Sequence, residues 1–193
     1  MLVEVEIRGT SPLLMHRMTD DEVLKLLQPK MKKMVAADLE RTPRELAEQR
    51  VYRDKNGRIV IPASFLVGSF RDAAGDFRQT DRGRKTMKHI AHVIFRPQSE
   101  FSPLLNVGGG NATEFEVDIR PTVNRKSNSA VVVCRPRFDE WGCVFRSRVD
   151  TDLCSEAMAQ RIFTDSGIKF GIGSFRKGGF GQFRIARWKE VKE

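Results

Sequence analysis

Five glycines within eleven residues, Gly171, Gly173, Gly178, Gly179 and Gly181, stand between a helix-like pattern that stops at Gly167 and the alternating residues Phe183 and Ile185. A helix, a glycine-rich reversal and a strand in that order place a helix beside a sheet. The opposite end of the chain agrees. Val3, Val5 and Ile7 alternate with Leu2, Glu4, Glu6 and Arg8, the period of a half-buried strand. Trp141, Cys143, Phe145 and Val149 likewise share one face of a segment whose other face holds Val144, Arg146 and Arg148.

Between these strands the helix signals are local. Thr19 with Glu22, and Thr42 with Glu45 behind Pro43, are capping boxes, and 30–41 reads as a further helix. Ser64 stands where it can cap a helix bearing Phe65, Leu66, Phe70 and Ala73, and Ser155 does so for Met158, Ile162 and Phe163. Asn56-Gly57 marks a tight hairpin turn. Gly75 to Lys88 reads as a mobile loop, Val93 to Phe95 as a short strand, and Phe115, Val117 and Ile119 as one arm of an extended hairpin with a basic tip. No repeat is present, which argues against a solenoid. The expected fold is α+β, a ferredoxin-like or RRM-like antiparallel sheet core with helical insertions and a protruding β-hairpin near 115–137. The whole of 1–193 reads as one domain, with its glycine-rich loop at 171–181.

Charge narrows the function. The chain carries 34 Lys and Arg against 25 Asp and Glu, net +9, which favours an anionic partner such as nucleic acid. From Arg120 onward there are 15 basic and 8 acidic residues, so the C-terminal part is the expected contact surface. Cys134, Cys143 and Cys154 have neither even parity nor metal-knuckle spacing, so reduced, buried thiols are expected. No apolar run reaches the length of a membrane span and no secretory leader pattern opens the chain, which predicts a cytoplasmic protein with no membrane partner.

Glycines let backbone N–H groups approach phosphate oxygens, Arg176 and Lys177 add countercharge, and Phe175 or Phe180 offers a ring on which an unpaired base can stack. The plainer account is a glycine loop with a surface charge pair. No Lys-Ser or Lys-Thr pair opens a helix, so the segment is no nucleoside-triphosphate loop. Arg125, Lys126, Arg135, Arg137, Phe138 and Trp141 interleave guanidinium and aromatic groups in the second basic stretch; Trp141 also suits a core position. His16, beside Arg17, Asp20 and Asp21, could serve as a general acid or base, although the same residues suit a capping cluster. His89 and His92 share a helical spacing but lack further ligands, so neither a metal nor any other cofactor is expected.

Three segments in order resemble the RAMP superfamily, the repeat-associated mysterious proteins of CRISPR systems, and its effector backbone subunits in particular. VEIRGTSPLLMH is similar to the family's first strand and its Ser-Pro-Leu loop. IPASFLVGSFRDAA is similar to its helix signature, with Pro62, Ser64, Leu66, Gly68 and Arg71 in pattern and Ala63 and Val67 in place of glycine and lysine. GIGSFRKGGFGQFRI is similar to its C-terminal glycine loop and last strand.

The resemblance implies an RRM-like core and a hairpin thumb, placed at Arg120 to Arg137, that reaches a neighbouring subunit. It also implies contact with single-stranded RNA, or single-stranded DNA, through His16, Arg17, Ser64, Arg71, Arg125, Lys126, Arg135, Arg137, Phe138, Arg176, Lys177, Gly178, Gly179, Phe180 and Gly181. Further copies of the chain, or other effector subunits, would then be partners. The setting would be CRISPR immunity, or a phage or other mobile element. Two other functions fit the residues less fully: a metal-independent endoribonuclease centred on His16 with Asp20 and Asp21, and a structural protein of a virus particle or assembly.

Overall fold

The structure, a computed structural model, describes residues 1–20, 22, 23, 41–79, 84–124 and 129–192. The sequence-read helix over 30–41 lies almost wholly outside these residues, as do Asp21, Arg125 and Lys126.

β1 (Leu2–Gly9) is an interior strand of the main sheet, and Val3, Val5 and Ile7 are all fully buried, so one of its faces is covered along its whole length. It pairs antiparallel with β8 (Gly142–Val149) on one side and β9 (Phe183–Glu190) on the other. β5 (Phe101–Leu105) and β4 (Phe95–Pro97) continue the sheet from β8, and β3 (Val60–Pro62) pairs with β5. The order β3-β5-β8-β1-β9 places the last strand beside the first and the first beside the third of the core, the arrangement of a ferredoxin-like sheet.

Among the described residues, three helices cover one face of the main sheet, and the helix Pro43–Glu48 packs against the hairpin of 116–124 and 129–138. α1 (Pro43–Glu48) opens with the Thr42–Glu45 capping box, and α2 (Ala63–Ala73) buries Leu66, Ser69, Phe70 and Ala73. α3 (Ala91–Ile94) occupies most of the stretch expected as a strand, which begins only at Phe95. α4 (Glu156–Asp165) is capped by Ser155 as expected. It does not stop at Gly167 but widens into a π-turn over Ser166–Phe170. Gly167 is needed inside that turn, since a Cβ there would strike the Phe183 carbonyl of β9.

Phe163 of α4 centres the core. Its ring lies 5.0 Å from Phe95, 5.2 Å from Phe183 and 5.9 Å from Phe145, so one helix residue ties three strands together. All three cysteines are buried and free; burial pushes the Cys143 thiol up to about 12 and Cys154 to about 11, which makes these two inert packing residues.

A second sheet rises beside the first. β6 (Glu116–Asn124) and β7 (Ser129–Phe138) form the expected hairpin, inserted between β5 and β8, and β2 (Leu13–Leu14) pairs with the base of β7. Directly opposite residues share a face. Asp118, Arg120 and Thr122 therefore stand with Arg135, Val133 and Val131, while Ile119, Pro121 and Val123 stand with Cys134, Val132 and Ala130. The 75–88 segment is not one loop: its described parts hold short 3-10 turns at each end, Ala74–Asp76 and Met87–His89, and an Arg78–Thr86 bridge.

Candidate nucleic-acid interface

β2 brings the functional segments together. Its edge pairs with β7, Met15 N–H donates to the Pro136 carbonyl at 3.1 Å, and on the opposite side the Leu14 carbonyl accepts from Ser174 N–H at 2.7 Å. The hairpin base and the glycine loop are thus held on either side of one two-residue strand. Arg17 N–H donates to the Arg50 carbonyl at 3.0 Å, adding the segment after α1 to the same junction.

The glycines serve shape rather than donation. A Cβ on Gly171 would meet the Phe180 carbonyl, one on Gly173 the Leu14 carbonyl, one on Gly178 the Phe175 ring, and one on Gly181 would fall on the Ile172 carbonyl. The N–H groups of Gly178, Gly179 and Gly181 are engaged by Phe175, Arg176 and Pro12 carbonyls at 2.9, 2.9 and 2.8 Å. They are therefore not free to cradle a phosphate, as the residue types alone suggest. What the tight loop achieves is to hold Phe175 at φ 56°, a left-handed conformation costly for a residue with a Cβ, with its ring 47% exposed. Phe180 lies behind it, ring centroids 5.8 Å apart.

Cations of the hairpin lean onto those rings. The Arg120 guanidinium sits 4.7 Å from the Phe180 centroid and 5.7 Å from that of Phe175, and Arg135 sits 5.9 Å from Phe175. Arg120 Nε donates to both carboxylate oxygens of buried Asp118, at 2.7 and 2.9 Å. Arg135 is only 8% exposed, and its Nε–H finds no acceptor among the described residues. Burial, then the neighbouring Arg50 and Arg120, lower its pKa, while Asp118 opposes them. A cation buried with an unmatched donor is a standing attraction for an anion.

His16 extends the cluster. Arg50 Nη1–H donates to its Nε2 at 3.0 Å and Arg50 Nη2–H to Glu22 at 3.0 Å, while His16 Nδ1 is buried with no described partner. Burial, with Arg50 and Arg135, holds the imidazole down to about 4, with Glu22 opposing. The unfolded chain, near its ordinary 6.5, binds this proton more readily, so the site's contribution to stability rises with pH between about 4 and 6.5 and is level above. After allowance for solvent screening this amounts to about 1–2 kcal/mol. Thermal unfolding of the protein and of His16→Gln across that window should show a steeper pH dependence in the former; parallel curves would contradict it.

The other sequence candidates separate clearly. Phe138 is buried against Phe115 at 6.2 Å and cannot receive a base, because the hairpin base turns it into the core. Trp141 takes the core option, donating its indole N–H to the Ser11 carbonyl at 2.8 Å. Arg137 is held by Asp139 at 2.6 Å and Arg176 by Asp72 at 3.0 Å, the latter tying the glycine loop to the end of α2. Arg71 is exposed next to that tie, and Lys177 is exposed with no ion pair among the described residues. Ser64 caps nothing: α2 starts at Ala63 behind Pro62, and exposed Ser64 stands about 12 Å along the helix axis from Asp72. Asp20 is exposed and paired with Arg17 at 3.0 Å. Exposed His89 and His92 sit on different short helices, and no group of three metal-binding side chains occurs among the described residues.

Sequence reasoning missed Arg50, Glu22 and Asp118. Asp118 is one polar residue in an alternating strand, and Arg50 lies 34 residues from His16, so nothing in the local pattern marks either.

No family model matches the chain, and no curated protein matches its sequence. Among solved structures, a chain of the type III-B Cmr-beta bound to cognate target RNA aligns with 99% of this chain at 15% identity and TM-score 0.54. The present chain spans 60% of that chain's length. Cmr6 from Pyrococcus furiosus aligns at TM-score 0.43 and 10% identity, covering 97% of this chain and 98% of its own. Cmr1 from the same organism, in its apo form, aligns at 0.38 and 13%, covering 98% of this chain and 50% of its own. The fold expected from the three motifs is thus the fold observed. No helix among the described residues is long and apolar enough to cross a membrane.

Proposed function

We propose that this chain is a RAMP-type subunit that binds single-stranded RNA at the junction of hairpin, β2 and glycine loop, beside further copies of itself or other subunits of a CRISPR effector. The observation that carries the reading is Phe175, a half-exposed ring held in a strained backbone conformation under two guanidiniums. Stacking on such a ring suits any base, and Arg135, Arg120, Arg17 and Lys177 supply the charge for the phosphates. The likeness to a subunit of an RNA-bound complex supports the choice of RNA.

Binding suits the site better than cleavage. A neutral imidazole whose Nε2 accepts from a guanidinium keeps only a buried Nδ1–H, far too weak an acid to protonate a leaving group, and its lone pair is engaged; Asp20 lies open to solvent beside Arg17. Assembly has its own support in the hairpin. Ile119, Val123 and Val132 are 53%, 58% and 67% exposed on one face, more apolar area than an isolated arm would leave in water.

Phe175→Ala should weaken binding of a labelled single-stranded RNA by about 1–3 kcal/mol, some 5- to 150-fold, without shifting thermal unfolding. The salt slope should remain, at roughly −0.7 per neutralised phosphate. Sedimentation of the same samples should show several wild-type subunits per long strand and single ones for Val132→Asp. Full affinity in Phe175→Ala would sink the stacking site; multiple Val132→Asp subunits on one strand would sink the hairpin contact.

A further inference from the structure

The face of the main sheet turned away from the helices is apolar on β5, with Phe101, Pro103 and Leu105, and mostly charged on the other strands. On β1 it presents Glu4, Glu6 and Arg8; on β8, Val144, Arg146 and Arg148; on β9, Arg184, Arg187 and Lys189; and on β4, Arg96. Among the described residues of these four strands, seven cations and two carboxylates share the face. Glu4 and Glu6 are largely covered and anchor three of the guanidiniums: Glu4 accepts from Arg187 at 3.0 Å and Arg146 at 3.4 Å, and Glu6 from Arg8 at 2.7 Å. Arg96, Arg184 and Lys189 are exposed and have no carboxylate partner among the described residues.

Arg96, opposite Arg148, and Arg184, opposite Arg8, place cations that lack a carboxylate partner among the described residues at the two ends of the sheet. The two arginine pairs are separated along β8 by the run from Gly142, beside Arg8, to Arg148, about 20 Å at strand spacing. A small anion cannot span this; a polyanion chain can.

We propose that this open sheet face is a second binding surface, for the sugar-phosphate chain of a nucleic acid regardless of its bases. The chemistry favours nucleic acid over an acidic protein. Protein interfaces centre on charge-depleted aromatic or aliphatic anchors; here the exposed ring is Phe101 on β5, whereas the unpartnered cations stand on β4 and β9 and the β8 and β1 apolar groups, Val144 and Leu2, are half-buried and covered. Surfaces for nucleic acid are polar and strongly positive. With no ring on its charged strands on which to stack, the face holds paired and unpaired strands alike, unlike the site at Phe175. Its residues are all different from those of the hairpin and glycine loop, so it stands independently of the function proposed above.

The test uses the full chain, with one labelled RNA sequence offered single-stranded and as a duplex. R96Q/R184Q/K189Q should bind the duplex about tenfold or more weakly at low ionic strength, with a logarithmic salt slope less steep by about 2.7. Single-strand affinity should fall as well, since both probes use the face. R96K/R184K keeps the charges and should retain duplex affinity within about threefold, which separates electrostatics from any loss of folding. Phe175→Ala reads the other site, because it lowers the ratio of single-strand to duplex affinity. Duplex binding by R96Q/R184Q/K189Q equal to wild type, or wild-type protein that retains no duplex, overturns the proposal whatever Phe175→Ala does.

Discussion

Asp118→Asn should lower the unfolding free energy by about 3–5 kcal/mol, because it strips the carboxylate that stands opposite the buried Arg135 guanidinium. Asp118 and Arg135 are direct cross-strand neighbours at the root of the hairpin, and both are almost fully enclosed. Arg120 can swing into solvent when its carboxylate is lost, since its side chain is 38% exposed; Arg135 cannot. Denaturant melts of Asp118→Asn, Arg135→Met and the double variant form the cycle. The double variant should recover most of the stability, because a well-packed apolar pair is often as good as a buried ion pair. It should not recover RNA affinity. A loss under about 1 kcal/mol in Asp118→Asn would mean that Arg135 is solvated in the free protein.

Gly181→Ala should cost about 3 kcal/mol or more and remove RNA binding. Gly181 has φ 72°, where alanine loses about 1–2 kcal/mol, and its new methyl would fall on the Ile172 carbonyl. To make room, the loop must break the Ile172 N–H to Gly181 carbonyl bond and the Gly181 N–H to Pro12 carbonyl bond, each 2.8 Å and each worth roughly 1 kcal/mol. Those bonds position the Phe175 ring, so affinity should fall at least as far as in Phe175→Ala. Gly179→Ala is the control: its φ is 83° but its Cβ direction is open, so only the backbone strain of about 1–2 kcal/mol applies. Equal melting temperatures for the two variants would contradict the packing account of the loop.

Much of the frame was legible because it follows from short-range rules. β1 and β8 announce themselves by alternation over eight residues each, and the Thr19–Glu22, Thr42–Glu45 and Ser155 caps form with the partners their spacing implies. The errors lie where long-range contacts decide. Alternation cannot tell that Phe138 turns inward onto Phe115, nor that α4 runs on as a π-turn beneath Phe183. Counting glycines identified the loop but not its use: four of the five are required by neighbouring atoms, and their rigidity serves a phenyl ring. The Asp72–Arg176 tie and the Arg50–His16 bond join residues 104 and 34 positions apart, and no window along the chain holds both partners. The partners of the candidate residues lie beyond what residue type and spacing can show.

β1 reaches for its neighbours over very different distances in the chain, and both are far: Val5 meets Phe145 on one edge and Trp188 on the other. Closing loops of that size is slow, and no local hairpin can seed this part of the sheet. During synthesis the first strand emerges long before either flank exists, and its valines and isoleucine stay wet until β9 leaves the ribosome. Efficient production of the protein then depends on whatever shields that strand in the meantime.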